Sequence, residues 1–319
     1  PSPAADTPRR DRRGDAAAIG QALDILANPK ADLSKRLLYT QTFGEISQSK
    51  SIPTLLKLAA DAAKTPDLQK AALTSLQRYN QPDIGARIVE LYSDFEDGVL
   101  PAAQTLLASR AAWSRQLVKA INAGKIDKRT LPSDIVDRLR DSSDSETTAL
   151  IKRHFGEKRV TTSKEMQDEI QRLSKVIDEK PGNIYEGEKH FQMLCAPCHK
   201  LFRNGGQIGP DLTSYQRDDL STMLVSIVNP NAEVREGFEN YSIETKDERS
   251  LTGFLVDQDA KVVVLRGLDG QNISLQRSEI KEMRPAGQSL MPAGLLGSFN
   301  DQQIRDLFAY LRTGQPISR

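Results

Sequence analysis

Residues 195–200 read CAPCHK, and this hexapeptide holds both cysteines of the chain and one of its three histidines. Three chemistries use thiols at this spacing. In a c-type haem site, Cys195 and Cys198 add to the two haem vinyl groups as thioethers and His199 ligates the iron. On a helix, positions i and i+3 share a face, so both sulfurs can meet one porphyrin edge, with the next residue under the metal. A dithiol redox site uses the same Cys-x-x-Cys but has no need of His199. A closed zinc site wants four Cys or His ligands, and outside the motif only His154 and His190 remain. The spacing and its flanks therefore predict one covalently bound haem c per chain.

Haem iron needs a second axial ligand if it is not to bind something else. His190 lies on the segment leading into the motif, which places it on the wrong side. His154 belongs to a distant helical region and reads as an ordinary histidine. Of the five methionines, Met166 and Met193 read as packing, and Met223 lies mid-helix among Leu220, Leu224 and Ile227. Met283 ends a strand-like region before Arg284-Pro285. Met291 sits in QSLMPAGLLGSF, where Pro292 stiffens the loop and Leu290 and Leu295 flank the thioether. Met291 is the leading candidate, with Met283 as a second and gap-filling as the role that needs no iron.

These residues must be positioned by the rest of a 319-residue chain, a length that suits about two domains. Hydrophobic residues make up 38%, aromatic residues only 5%, and the net charge is +1. Helical layers packed by Leu, Ile and Ala suit this composition better than a large β core. The charge balance gives no basis for nucleic-acid binding. No apolar run approaches the ~18 residues of a membrane span. The opening PSPAADTPRRDRRGD reads as a disordered polar linker over 1–15.

Residues 16–180 carry apolar positions at helical spacing, with breaks at Asn28-Pro29, Thr65-Pro66, Gln81-Pro82 and Leu131-Pro132. Helix-like segments beginning near 51, 82 and 111 are each followed by a second. A period of about 30 residues built from helix pairs predicts an α-solenoid of the HEAT or armadillo kind. Residues 162–180 add a helix, with a Thr162/Glu165 capping box and a stripe of Met166, Ile170, Leu173 and Ile177. Pro181-Gly182-Asn183 then marks the expected domain boundary.

From 183 to 319 the texture changes. A helix is expected over 184–198 and another over 218–228. Four strand-like runs follow (FENYSIETK, LTGFLVDQ, KVVVLRGL, QNISLQR), separated by turn residues that include Asp269-Gly270. They predict an antiparallel β module of four to five strands at about 237–284, with Tyr241, Phe254 and Val262–Leu265 as its core. A final amphipathic helix spans 301–313 with Asn300 as N-cap. The fold class is mainly α with a small β insert.

CAPCH, then GPDLT at 209–213, then SLMPAGLL, then a helix containing Asp-Leu-Phe-Ala-Tyr-Leu resembles a class I cytochrome c. More narrowly, the order resembles the haem-binding domain of planctomycetes and verrucomicrobia, in which a β module precedes the methionine loop. The resemblance covers about 183–313. It implies that Cys195 and Cys198 hold the haem and that His199 and Met291 are axial. It implies that Pro210 offers its carbonyl to the proximal imidazole, that Leu212 and Tyr310 belong to the cofactor pocket, and that Gly187 and Phe191 meet Tyr310 at a helix crossing. That family often carries helical repeats and a dehydrogenase domain upstream. The expected protein is a periplasmic or otherwise extracytoplasmic electron carrier rather than an enzyme, and its partner is a redox protein, such as a dehydrogenase domain upstream or in trans. A haem enzyme or gas sensor with an open distal face is the alternative, as is a repeat scaffold that binds a partner protein.

Overall fold

The computed structural model describes residues 16–61, 65–157, 163–206, 208–232, 240–286 and 289–317. The expected linker at 1–15, Thr162 of the expected capping box and the first residues of the β insert lie outside them. Among the described residues the chain is mainly helical, with thirteen α-helices and a small antiparallel sheet region. It forms two compact units, Pro1–Leu107 and Ala108–Arg319.

The first unit contains α1 (Ala16–Ala27), α2 (Leu33–Glu45), α3 (Ile52–Ala60), α4 (Pro66–Leu76) and α5 (Pro82–Glu90), and α6 (Leu100–Ala108) runs to its end. Proline stands in the first turn of α3, α4 and α5. There its missing N–H costs nothing and its fixed φ starts the helix. Asp32 caps α2 by accepting from the Lys35 N–H at 3.0 Å. α4 packs on α2 and α3, around the fully buried Phe43, Leu55, Leu73 and Leu76. Two buried hydroxyls in this core bond to backbone carbonyls. Tyr79 donates to the Phe43 carbonyl at 2.8 Å, and Ser75 donates to the Thr40 carbonyl at 2.8 Å.

The second unit opens with α7 (Ala111–Asn122), α8 (Ser133–Arg140) and α9 (Ser145–Phe155). The paired segments read near 51, 82 and 111 are all helices, yet α7 and α8 both pack on α9. α10 (Ser163–Glu179) and α11 (Ile184–Leu194) follow, then the short strands β1 (Lys200–Leu201) and β2 (Asn204–Gly205), and α12 (Leu220–Val228). α13 (Asp301–Leu311) closes the chain, with Asn300 and Gln303 forming a reciprocal capping box.

Pro181-Gly182-Asn183 ends α10 but does not end the core. Leu173 and Val176 of α10 share one apolar cluster with Phe191, Leu224, Ile304, Leu307 and Phe308. At the break, the Asn183 N–H donates to Asp306 Oδ1 at 2.7 Å, and its own side chain caps α11 at the Tyr185 N–H. A Cβ on Gly182 would lie 2.1 Å from the Arg305 carbonyl oxygen, so only glycine fits this joint. α10 therefore packs as part of the same core as α11–α13.

The insert is a five-stranded antiparallel sheet: β3 (Asn240–Thr245), β4 (Ser250–Gln258), β5 (Val262–Arg266), β6 (Asn272–Gln276) and β7 (Ile280–Pro285), in spatial order β6-β5-β4-β3-β7. Ile243, Leu251, Val263, Leu265 and Leu275 form its core. Gly270 takes φ +75° in the β5–β6 turn, as an Asp-Gly hairpin turn requires.

The β3–β4 turn is clamped at Asp247. Arg110, just before α7 and almost fully buried, donates to the Asp247 carbonyl and to Oδ2 at 2.9 Å. Arg249 Nε lies 3.1 Å from both carboxylate oxygens, and Thr245 Oγ1 donates to Oδ1 at 2.5 Å. Ser250 adds two bonds, from its N–H to the Ser109 carbonyl at 2.9 Å and from Arg138 to its own carbonyl at 2.7 Å. Partial burial alone would raise the Asp247 carboxyl, but Thr245, Arg249 and Arg110 outweigh it and hold the group at about 2. An unfolded aspartate sits near ~3.9. The clamp's contribution is thus present above about pH 4 and is lost as pH falls through about 2. Asp247→Asn is expected to remove that pH dependence. Hydrogen exchange of the β3 and β4 amides at pH 5 and pH 2.5 checks this. A wild type and variant that differ equally at both pH values would contradict it.

Candidate functional site

The Cys-x-x-Cys-His segment is a single tight turn hung on the end of α11. The Cys195 N–H donates to the Phe191 carbonyl at 2.9 Å, closing the helix. The Cys198 and His199 N–H groups both reach back to the Cys195 carbonyl, at 3.1 and 2.8 Å. Cys195 and Cys198 are free and half-buried. Burial pushes the Cys195 thiol up to about 12, with the neighbouring Cys198 adding to the effect. Burial also raises Cys198, with Asp134 of α8 as a second cause. Disulfide exchange runs through thiolates, which reactive dithiol sites stabilise by lowering the thiol pKa. This environment does the opposite.

His199 is oriented by its own backbone surroundings. Its Nδ1 lies 3.0 Å from the Pro210 carbonyl oxygen. A carbonyl can only accept, so Nδ1 carries the proton and Nε2 presents a bare lone pair. Burial lowers the imidazole pKa, and the bond to Pro210 opposes this only in part. A neutral imidazole with a free Nε2 is the form that ligates a metal.

The loop carrying Pro210 is strapped to the cysteine turn. The Gly206 N–H donates to the Ala196 carbonyl at 2.7 Å, and the Ile208 and Gly209 N–H groups converge on the Cys198 carbonyl at 3.0 and 2.8 Å. Gly209 lies flat against the imidazole: a Cβ there would sit 2.5 Å from Cε1 and 2.7 Å from Nδ1 of His199. Sequence reading quotes Gly209 only within GPDLT, without a role, and passes over Gly206. Their signal is the run GGQIGP at 205–210, four residues beyond CAPCHK.

Behind the turn, α11 crosses α13 at backbone contact. A Cβ on Gly187 would lie 1.9 Å from the Asp306 carbonyl oxygen. Phe191 meets Tyr310 with ring centroids 5.5 Å apart at 52°, and Tyr310 is buried. Leu212, Leu194, Cys195 and Ala196 are half-buried against the same apolar cluster.

The Met291 loop joins this assembly through its neighbours. The Ser289 N–H donates to Asn231 Oδ1 at 2.7 Å, just after α12, and the Met291 N–H donates to Ser289 Oγ at 3.1 Å. Leu296 belongs to the cluster that holds Phe191, and Leu290 is buried as well. Met291 itself is half-buried. Three other thioethers are placed differently. Met283 faces the β-module core opposite Ile243, and Met223 packs on the apolar cluster. Met193, read from the sequence as packing, is 62% exposed. It falls on the solvent side of α11, away from the face that Gly187 and Phe191 bury. His190 lies beside Phe299, with ring centroids 5.1 Å apart, and His154 Nε2 is 3.1 Å from Asn122 Oδ1.

Cys195, Cys198, His199 and Pro210 are thus brought together by direct hydrogen bonds, while Leu212 and Tyr310 meet in the apolar cluster behind them. Among the described residues no three His, Cys, Asp or Glu side chains converge as a metal-binding group, so a four-ligand zinc site finds no donors there. The donor set fits a c-type haem: two neighbouring thiols on one turn and an imidazole whose Nε2 is bare. No protein-family match is found for this chain, and no curated protein matches it.

Proposed function

We propose that this chain is an extracytoplasmic electron carrier, a helical-repeat region of the HEAT kind followed by a class I cytochrome c-like domain with a β insert. In this reading Cys195 and Cys198 would hold one haem c as thioethers, and His199 and Met291 would hold its iron. The observation that carries it is the Nδ1–H of His199 held by the Pro210 carbonyl, which leaves Nε2 as a fixed ligand next to two adjacent thiols. Bound haem would supply a one-electron ferric/ferrous couple.

The chain's own residues then have separate tasks. The two thiols anchor the macrocycle edge. Pro210 fixes the tautomer and raises the donor strength of His199. Met291 would be the second residue to hold the iron, and its thioether would favour the reduced state. Leu212, Tyr310 and the apolar cluster would exclude water beside the group. Iron held by two protein ligands would pass electrons without bonding a substrate. The natural partner is a redox protein such as a dehydrogenase. Haem c is attached outside the cytoplasm, which sets the compartment.

The test is attachment itself. Full-length chain produced with haem c maturation is expected to carry the mass of one haem and to keep its colour on the polypeptide after acid denaturation and solvent extraction. Colour that leaves with the solvent, or a mass without haem, would sink the reading.

A further inference from the structure

The turn that follows His199 is strained, and the residues that hold it are not among those assigned above. β1 and β2 pair as a two-residue hairpin, Leu201 opposite Asn204. Its first turn residue is Phe202 at φ +58°. A side chain is unfavourable in this left-handed region, which glycine occupies freely. Such a conformation persists only where the surroundings enforce it.

Two contacts hold Phe202 here. The Phe202 N–H donates to Thr213 Oγ1 at 2.7 Å. The Arg217 guanidinium carbon stands 5.0 Å over the Phe202 ring, a favourable cation–π placement. Arg217 is itself held firmly. It is 9% exposed, and its Nη1 donates to the Leu311 and Thr313 carbonyls at 2.6 and 2.7 Å. Leu311 is the last residue of α13 and Thr313 lies two residues beyond it, where carbonyls lack a partner within the helix. Arg217 therefore pins the turn at Phe202 to the end of α13.

The pinned turn borders His199 on two sides. Lys200, the next residue in the chain, starts β1, and a Cβ on Gly205 of β2 would sit 2.0 Å from the His199 carbonyl oxygen. On the other side Thr213 is tied to Asp211, which accepts from the Thr213 N–H at 2.8 Å and pairs with Lys200 at 3.4 Å. Asp211 directly follows Pro210, whose carbonyl orients the imidazole.

We propose that Arg217 is a positioning residue for His199. Clamped on the end of α13, it holds the strained Phe202 turn, and through Thr213 and Asp211 it keeps the Pro210 carbonyl on Nδ1. This rests on His199 being the ligating imidazole of the proposed haem site. A loosened clamp lengthens the Pro210 bond and weakens His199 as a donor. The ferric state loses more from a weaker donor, so the midpoint potential rises.

The experiment uses full-length, haem-loaded chain in its reduced, diamagnetic state. It follows solvent exchange of the His199 Nδ1 proton by NMR, and the midpoint potential. Arg217→Met is expected to accelerate exchange roughly two- to tenfold, the range that the net worth of one hydrogen bond gives, and to raise the potential. Phe202→Gly separates positioning from stability. Glycine accepts φ +58° without strain but gives up the ring's packing on the apolar cluster, so a purely structural turn predicts a change in stability with exchange and potential at their wild-type values, whereas a positioning role predicts faster exchange and a raised potential again. Should Arg217→Met yield no folded holoprotein, Phe202→Gly decides alone. Wild-type exchange and potential in a folded variant would overturn the proposal. A wild type without covalent haem would instead overturn the functional reading, and the proposal with it.

Discussion

Met291→Ala is expected to convert a closed haem site into an open one. With the thioether gone, the weak far-red sulfur-to-iron band of the ferric state disappears. Carbon monoxide binds the reduced form and cyanide the oxidised form. The midpoint potential falls, because a thioether favours ferrous iron. Axial ligands span about 0.8 V in haem proteins, so a change on the order of 0.1 V or more is the expected scale. Met283→Ala is the control. Its side chain faces Ile243 in the β-module core, so it should cost stability and leave the spectrum unchanged. Optical titration with carbon monoxide and redox potentiometry on the same samples read both effects. A wild type that takes up carbon monoxide readily and lacks the far-red band would move the reading to an open-haem enzyme or gas sensor.

The second large effect lies away from the iron. At an exposed helix position, Gly→Ala gains about 1 kcal/mol from propensity. At Gly187 the sign should reverse. Its new Cβ would fall 1.9 Å from the Asp306 carbonyl oxygen and 2.8 Å from the Tyr310 Cβ. No rotamer relieves a clash with helix backbone, so α11 and α13 must separate, and Phe191 and Tyr310 with them. Overpacking typically costs ~1–3 kcal/mol, and Gly187→Val belongs at the upper end, about 3 kcal/mol. For a unit the size of Ala108–Arg319, each kcal/mol moves Tm by roughly 2–4 °C, giving a fall of about 6–12 °C. Calorimetry on wild type, Gly187→Ala and Gly187→Val should show stability decreasing in that order. A stabilised Gly187→Ala would mean that the crossing is looser than the backbone contact indicates.

What the sequence made legible follows from how local each signal is. The helix over 301–313 is found at Asp301–Leu311 with its Asn300 cap, because apolar period and cap lie within one stretch of chain. Four of the β strands match four alternating runs. No alternating run marks β7, because IKEMRP carries three charges and lies at a sheet edge, where Ile280 and Met283 alone pack on the core. The joint at Pro181-Gly182-Asn183 shows the limit most clearly. Proline and glycine mark the end of a helix, but they say nothing of whether the next helix shares its core. Only the placement of Leu173 and Val176 against Ile304 and Leu307 decides that. At the site, the cysteine turn was legible from its spacing, and Pro210 only through the family resemblance of GPDLT. The Arg217–Phe202 contact was not, since it joins residues through space and depends on a backbone angle that no residue type announces.

The pairing of β3 with β7 bears on how an insert of this size can be carried at all. Tyr241 lies opposite Pro285, and the Ala286 N–H donates to the Asn240 carbonyl at 2.7 Å. The chain therefore leaves the module where it came in. Ninety-two positions separate His199 from Met291, and a formed module short-circuits roughly half of them. Loop-closure entropy grows only with the logarithm of length, about 0.6 kcal/mol per doubling. Carrying the module therefore adds less than about 1 kcal/mol, on this scale, to closing the chain between residues 199 and 291. Held to its neighbours at Asp247 and Ser250, it behaves as a graft whose far end, the β5–β6 hairpin, can be lengthened or exchanged without lengthening the path between its two ends.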